Sequence, residues 1–138
     1  YYLGLMYYVG HPGVLKDNQE AVKWYQMAAE QGHAGAQLHL GGMYDQGHGV
    51  PQDDQEAVKW YRLSADQGKT VAQSNLGLMY FWGRGVPRDV VRAYAWLNVS
   101  AAAGGVEADE ARDVVRSIMT ADQVARAQRL SATLVRQE

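Results

Sequence analysis

Apolar and small residues fall into alternating stretches of helical spacing, separated by short glycine-rich breaks. In the middle of the chain Ala36, Leu40, Gly41 and Tyr44 share one helix face, and Gly47 marks the end of that helix. The run Gly49-Val50-Pro51 cannot continue it, because Pro51 has no amide to donate and its ring drives Val50 toward extended backbone. Asp53 then stands as an N-cap with Glu56 three residues on, the spacing of a capping box. The helix it opens carries Ala57, Val58, Trp60, Tyr61, Ser64 and Ala65, and Gly68 closes it as a C′ glycine. The predicted unit is a pair of helices joined by a tight turn.

The unit recurs. Gly49, Val50, Asp53, Ala57 and Trp60 return 36 residues later as Gly85, Val86, Asp89, Ala93 and Trp96, and stand 36 residues earlier as Gly13, Val14, Asp17, Ala21 and Trp24. A period of this size, held at five markers over two intervals, predicts a stacked helical-repeat architecture. Asp17 with Glu20 repeats the capping box, whereas Asp89 has Arg92 at the partner position, so only half the device is expected there. The first copy is one residue longer between Tyr7 and Val14, with Pro12 as the insertion in the turn.

Glycines in the middle of the first helices, Gly4, Gly41 and Gly77, each cost about 1 kcal/mol relative to alanine. Their recurrence predicts a compensating close approach, for which Ala21, Ala57 and Ala93 of the second helices are the candidate partners. Trp24, Trp60, Trp96, Tyr7, Tyr44 and Tyr80 are expected to fill the space between successive pairs.

After Gly104-Gly105 the period is lost. Ala108, Ala111, Val115 and Ile118 form one stripe; Thr120 with Gln123 makes another capping box, and Val124, Ala127, Ser131 and Leu134 form a second stripe. This tail is expected to cover the open face of the last repeat, as a solenoid requires, and Leu97 in place of Tyr25 and Tyr61 fits that changed neighbour. The expected organisation is one solenoid domain: repeats over 1–33, 34–69 and 70–105, then capping helices over 106–138. The first copy lacks the Ala-Gln lead-in of Ala36-Gln37 and Ala72-Gln73, which suggests a truncated repeat and targeting signals lying upstream.

Composition changes little. The chain has 138 residues, 47% of them apolar, enough for a continuous core. Thirteen basic and fifteen acidic residues are interspersed, which argues against nucleic acid as a partner and against a polybasic membrane patch. No apolar run reaches a membrane span of about 20 residues, so no membrane insertion is expected in this segment. The absence of cysteine rules out disulfides and thiolate metal sites but leaves the compartment open.

Laid end to end, L-G-x-x-Y, G-x-G-V-x-x-D, A-x-x-W and A-A-x-x-G make the chain resemble the Sel1-like repeat family, relatives of the tetratricopeptide repeat. In the middle copy the match rests on Leu40, Gly41, Tyr44, Gly47, Gly49, Val50, Asp53, Ala57, Trp60, Tyr61, Ala65 and Gly68. It covers residues 1 to 105, and the segment from Met119 to Leu130 is similar to the C-terminal helix that often follows such arrays. The resemblance implies an all-α, right-handed solenoid of antiparallel helix pairs. It also implies a non-enzymatic adaptor or scaffold for a protein or peptide, in bacteria often at the envelope or secreted. A structural spacer within a larger protein is the alternative. A β-lactam-binding or hydrolysing enzyme, as proposed for cysteine-rich relatives, is a weaker one.

The residues give that weaker alternative little support. None of Ser64, Ser74, Ser100, Ser117 or Ser131 is followed three residues on by lysine, and no G-x-S-x-G occurs. His11 and His48 share a turn position that is Arg84 in the third copy, and no H-E-x-x-H stands near His33 or His39. These histidines are expected to cap helices or face solvent. The glycine-rich turns follow helices and not strands, so they are not phosphate loops. Asp53-Asp54 and the acidic run from Glu107 to Asp113 are expected to be caps and solvated faces. No cofactor, metal or catalytic residue is predicted.

If motif positions hold the fold, the unrepeated positions on the first helix of each pair remain for recognition. By analogy with tetratricopeptide repeats these helices line the concave face. The candidates are Leu5 and Tyr8; Leu38, Gly42, Asp45 and Gln46; and Ser74, Leu78, Phe81 and Trp82. Phe81 and Trp82 stand where the middle copy has Asp45 and Gln46, so the repeat does not demand them, and aromatic side chains are favoured anchors at interfaces. Burial of the pair would favour the spacer, and exposure in a groove would favour binding.

Overall fold

A computed structural model describes residues 17–105 and 107–135. Among the described residues the chain forms seven helices and no strand: α1 Asn18–Glu30, α2 Ala34–Gln46, α3 Asp54–Asp66, α4 Thr70–Trp82, α5 Val90–Ala102, α6 Ala108–Arg116 and α7 Ala121–Val135. Each helix from α1 to α5 packs on the next, and α5 also takes both α6 and α7. Gly4, Tyr7, His11 and Pro12 lie outside the described residues.

The turns follow the predicted chemistry. Gly47 and Gly83 end α2 and α4 in left-handed backbone, φ 71° and 69°, and Gly32, Gly68 and Gly104 do the same just past α1, α3 and α5. The second glycine of the G-x-G turn has a further role. A Cβ at Gly49 would collide with the Asn18 carbonyl of α1, and one at Gly85 with the Asp54 carbonyl of α3. Each turn therefore sits directly on the start of the preceding second helix, where only glycine fits.

The capping box at Asp53 is built differently from the expectation, while Asp89 keeps the half expected of it, accepting from the Arg92 amide at 3.0 Å. Asp53 Oδ1 accepts from the amides of Gln55 and Glu56, at 3.0 and 3.2 Å, but its own amide donates to the Tyr44 carbonyl at 3.0 Å. Asp89 repeats the arrangement, its amide donating to the Tyr80 carbonyl at 2.9 Å. The donor that a glutamate would have satisfied is thus already used by the preceding helix, which is why Arg92 is tolerated opposite Asp89. Thr120 and Gln123 do form the full reciprocal box, with both bonds near 3 Å (2.9 and 3.1 Å).

The core repeats with the sequence. Trp60 reaches back from α3 into a cluster of Ala21, Tyr25, Ala29, Ala36, Leu40 and Met43, so it wedges between pairs as expected. Trp96 and Tyr80 are buried in the next cluster, while Trp24 and Tyr44 are half-buried. At the helix-centre glycines the expected alanine takes part at Gly77 but not at Gly41. A Cβ at Gly41 would stand 2.8 Å from the Tyr61 ring, and one at Gly77 would stand 3.0 Å from Leu97 Cγ and 3.1 Å from the Ala93 carbonyl. The glycine makes room chiefly for residue 61 or 97, one turn beyond the alanine.

The tail covers α5 through Ala108 and Val115 of α6 and Ala127 and Ser131 of α7. Ser131 Oγ shares its proton between the carbonyls of Ala127 at 2.9 Å and Ala95 at 3.2 Å, and accepts from Asn98 Nδ2 at 3.2 Å. Ile118 departs from the predicted stripe. It is 53% exposed, because α6 ends at Arg116 and Ile118 lies in the following turn.

Candidate functional site

The ten residues singled out for recognition have separate fates. Leu5 and Tyr8 lie outside the described residues. Leu38 is half-buried against the core, Gly42 lies close to the Tyr61 hydroxyl, and Gln46 is exposed at the end of α2. Asp45 is not a free polar contact. Its carboxylate accepts from the Tyr61 hydroxyl at 3.0 Å and from Arg84 at 2.6 Å, and Arg84 also binds Asp54 at 2.7 Å. Residue 84, a histidine in the middle copy, thereby ties two repeats together. Burial pushes the Tyr61 phenol well above its usual range, helped by the charge and hydrogen bond of Asp45, so it stays a neutral donor. The hydrogen bonds to Asp54 and Asp45 hold Arg84 charged more firmly than usual.

The aromatic pair is split. Phe81 is half-buried against the core, with the Arg88 guanidinium 5.5 Å from its ring centre and Arg88 Nε donating to its carbonyl at 3.0 Å. Trp82 is 55% exposed. It follows Val71, Asn75 and Leu78 at spacings of four, three and four, which puts all four on one face of α4.

That face borders two adjoining hollows of about 430 and 400 Å³, which share Ser74, Asn75 and Glu107. Val71 lines the first, and Leu78 the second, opposite Glu110, Ala111 and Val114 of α6. Val71 and Val114 are 57% and 59% exposed. Ser74 Oγ lies 2.7 Å from Ser100 Oγ; since Ser100 donates to the Thr70 carbonyl at 2.9 Å, Ser74 is the donor between them. The groove is thus apolar along its walls and acidic at one rim.

The structure brings Ser74 and Leu78 together, places Trp82 at the end of their face, and turns Asp45 and Phe81 inward. Sequence reasoning missed Val71, Asn75, Glu107, Glu110 and Val114. Extending the helical spacing back from Leu78 would have found Val71 and Asn75. Glu107 and the α6 residues carry no such signal, because they stand beyond the last repeat, where the period is lost.

Among the described residues no group of three or more His, Asp or Glu side chains is placed to hold a metal ion, and no helix is long and apolar enough to cross a membrane. His33 caps α2, its Nδ1 accepting from the Ala36 amide at 3.1 Å. His39 stacks on Tyr25 with ring centres 5.0 Å apart, and its Nδ1 meets the Gly35 carbonyl at 2.8 Å.

Solved structures similar to this chain include the following two. A protective antigen of uropathogenic Escherichia coli strains that displays an SLR fold superposes with a TM-score of 0.84 at 30% identity, covering 99% of this chain and 37% of that one. A Sel1 repeat protein from Oxalobacter formigenes superposes with a TM-score of 0.77 at 36% identity, covering 81% of this chain and 46% of that one. This chain spans less than half the length of either. No curated protein matches it. The Sel1 repeat family model matches residues 1–33, 34–69 and 70–105. With an all-helical solenoid and three matched repeats, the chain belongs to the Sel1-repeat family.

Proposed function

We propose that this chain binds an extended segment of another protein along the face formed by α4 and α6. Sel1 repeats typically serve as protein-interaction scaffolds. The observation that carries the finer reading is the open groove itself: Val71, Leu78 and Val114 on its walls, with Trp82 continuing the α4 face. Exposed apolar surface lined up in a groove is favourable to cover, and little ordering is needed because Val71, Leu78 and Val114 all stand on helices. Glu107 and Glu110 select the partner's charge, so the segment that fits carries an aliphatic or aromatic side chain flanked by lysine or arginine. The reading includes no catalytic step.

One observation favours the alternative of a structural spacer: Phe81 packs against the core beneath Arg88. Selection from a random peptide library decides between them. The expected result is enrichment of apolar-basic sequences, binding that weakens with salt, and a loss of about tenfold or more in Trp82→Ala with an unchanged melting curve. A library that yields no sequence, or selected peptides that bind Trp82→Ala and Leu78→Arg as tightly as the natural chain, would decide for the spacer.

A further inference from the structure

Two buried glutamines occupy equivalent places in successive repeats, with one difference. Gln37, 3% exposed, donates Nε2 to the Ala29 carbonyl at 3.1 Å, and its Oε1 accepts from Gln67 Nε2 at 2.8 Å. Gln73, 36 residues on and 5% exposed, donates to the Ala65 carbonyl at 3.2 Å, and its Oε1 has no hydrogen-bond partner among the described residues. The cause lies in the sequence: Ala103 stands where Gln67 stands in the preceding repeat. A cavity of about 280 Å³ opens between Gln73 and Ala103, lined also by Asp66, Val99, Ala102 and Leu134.

A buried amide oxygen without a donor is costly, and the preceding repeat shows the group that relieves it: an N–H arriving from the side of residue 103. The surroundings favour a charged donor. α3 ends at Asp66 and α5 at Ala102, so two helix C-termini with their partial negative charge meet at this cavity. Asp66 adds a carboxylate, and no lysine or arginine among the described residues lines the space. Burial pushes the Asp66 carboxyl up, and the Arg62 charge only partly offsets this. Val99, Ala102 and Leu134 offer an apolar wall along which a methylene stem can lie.

We propose that this cavity binds a primary alkylammonium group, the end of a lysine side chain or a free aliphatic amine, with Gln73 Oε1 and the Asp66 carboxylate as acceptors. The site shares no lining residue with the groove of α4 and α6, and it stands or falls independently of that reading.

The test is an NMR titration of the whole chain that follows the Gln73 side-chain amide. Butylammonium and N-acetyl-lysine methylamide are the probes, and 1-butanol is the neutral control. Saturable shifts with the ammonium probes in the millimolar range, and binding at least about tenfold weaker for butanol, are expected. Tighter binding of the lysine probe would assign the site to a protein partner, and tighter binding of butylammonium to a free amine. Ala103→Gln, at an exposed position, supplies the missing donor internally and should abolish the shifts, while Asp66→Asn should weaken them several-fold. Shifts that fail to saturate, that match those of butanol, or that persist in Ala103→Gln would overturn the proposal.

Discussion

The Tyr61 hydroxyl donates to Asp45 Oδ2 at 3.0 Å across the pair of helices that the Gly41 gap brings together. In the next repeat both partners change at once: Leu97 replaces the tyrosine and Phe81 the aspartate. Tyr61 lies over Gly41 and its apolar substitute Leu97 over the equivalent Gly77, where Leu97 is fully buried. Had the tyrosine been kept opposite Phe81, a buried hydroxyl would have lacked its acceptor, at a cost of about 1 to 3 kcal/mol.

Tyr61 gives the protein an alkaline limit. Its phenol is raised above the ordinary value of 10.0 in the folded state, so the folded chain holds this proton more tightly than the unfolded one. The stabilisation is fully present below pH 10 and is lost as pH rises further. Melting temperature measured from pH 8 to about 11.5 should fall at the alkaline end more steeply in the natural chain than in Tyr61→Phe. Parallel curves would show that Tyr61 titrates as freely folded as unfolded.

Gly85 and Gly68 separate two costs that both go by the name of glycine turn. Both have positive φ, 74° and 93°, but a Cβ at Gly68 meets nothing within 4 Å while one at Gly85 meets the Asp54 carbonyl. Gly68→Ala should therefore cost only the backbone term, about 1 to 2 kcal/mol. Gly85→Ala should cost clearly more, because the turn must also lift off α3. Urea denaturation of the two variants measures the difference, and equal midpoints would mean that the turn does not need its close seat.

Trp60, 4% exposed, fills the space between α1 and α2. Trp60→Ala leaves a cavity that the surrounding alanines cannot close, with an expected loss of about 3 to 5 kcal/mol in chemical denaturation. A change too small to detect would remove Trp60 from the core.

How much was legible in the sequence follows from the range of each interaction. Gly47, Asp53, Gly68, Thr120 and Gln123 act within a few residues of themselves, so turns, caps and helix limits could be read directly. Ala57 and Trp60 recur in register, so the 36-residue period marks the stacked architecture and part of its core, and the residue types at the motif positions carry the family resemblance. What the spacing could not show was which unrepeated side chains stay open to a partner. Asp45 is closed off by Arg84, 39 residues away, and Phe81 by Arg88, while Val71 and Val114 come to line adjoining hollows only when α6 packs on α5. Gln73 lost its partner through a substitution at position 103 that no local pattern marks. A repeat fixes its own packing through short-range periodicity, but the neighbours of an unrepeated side chain depend on how successive pairs stack, and that was decided by the tertiary structure.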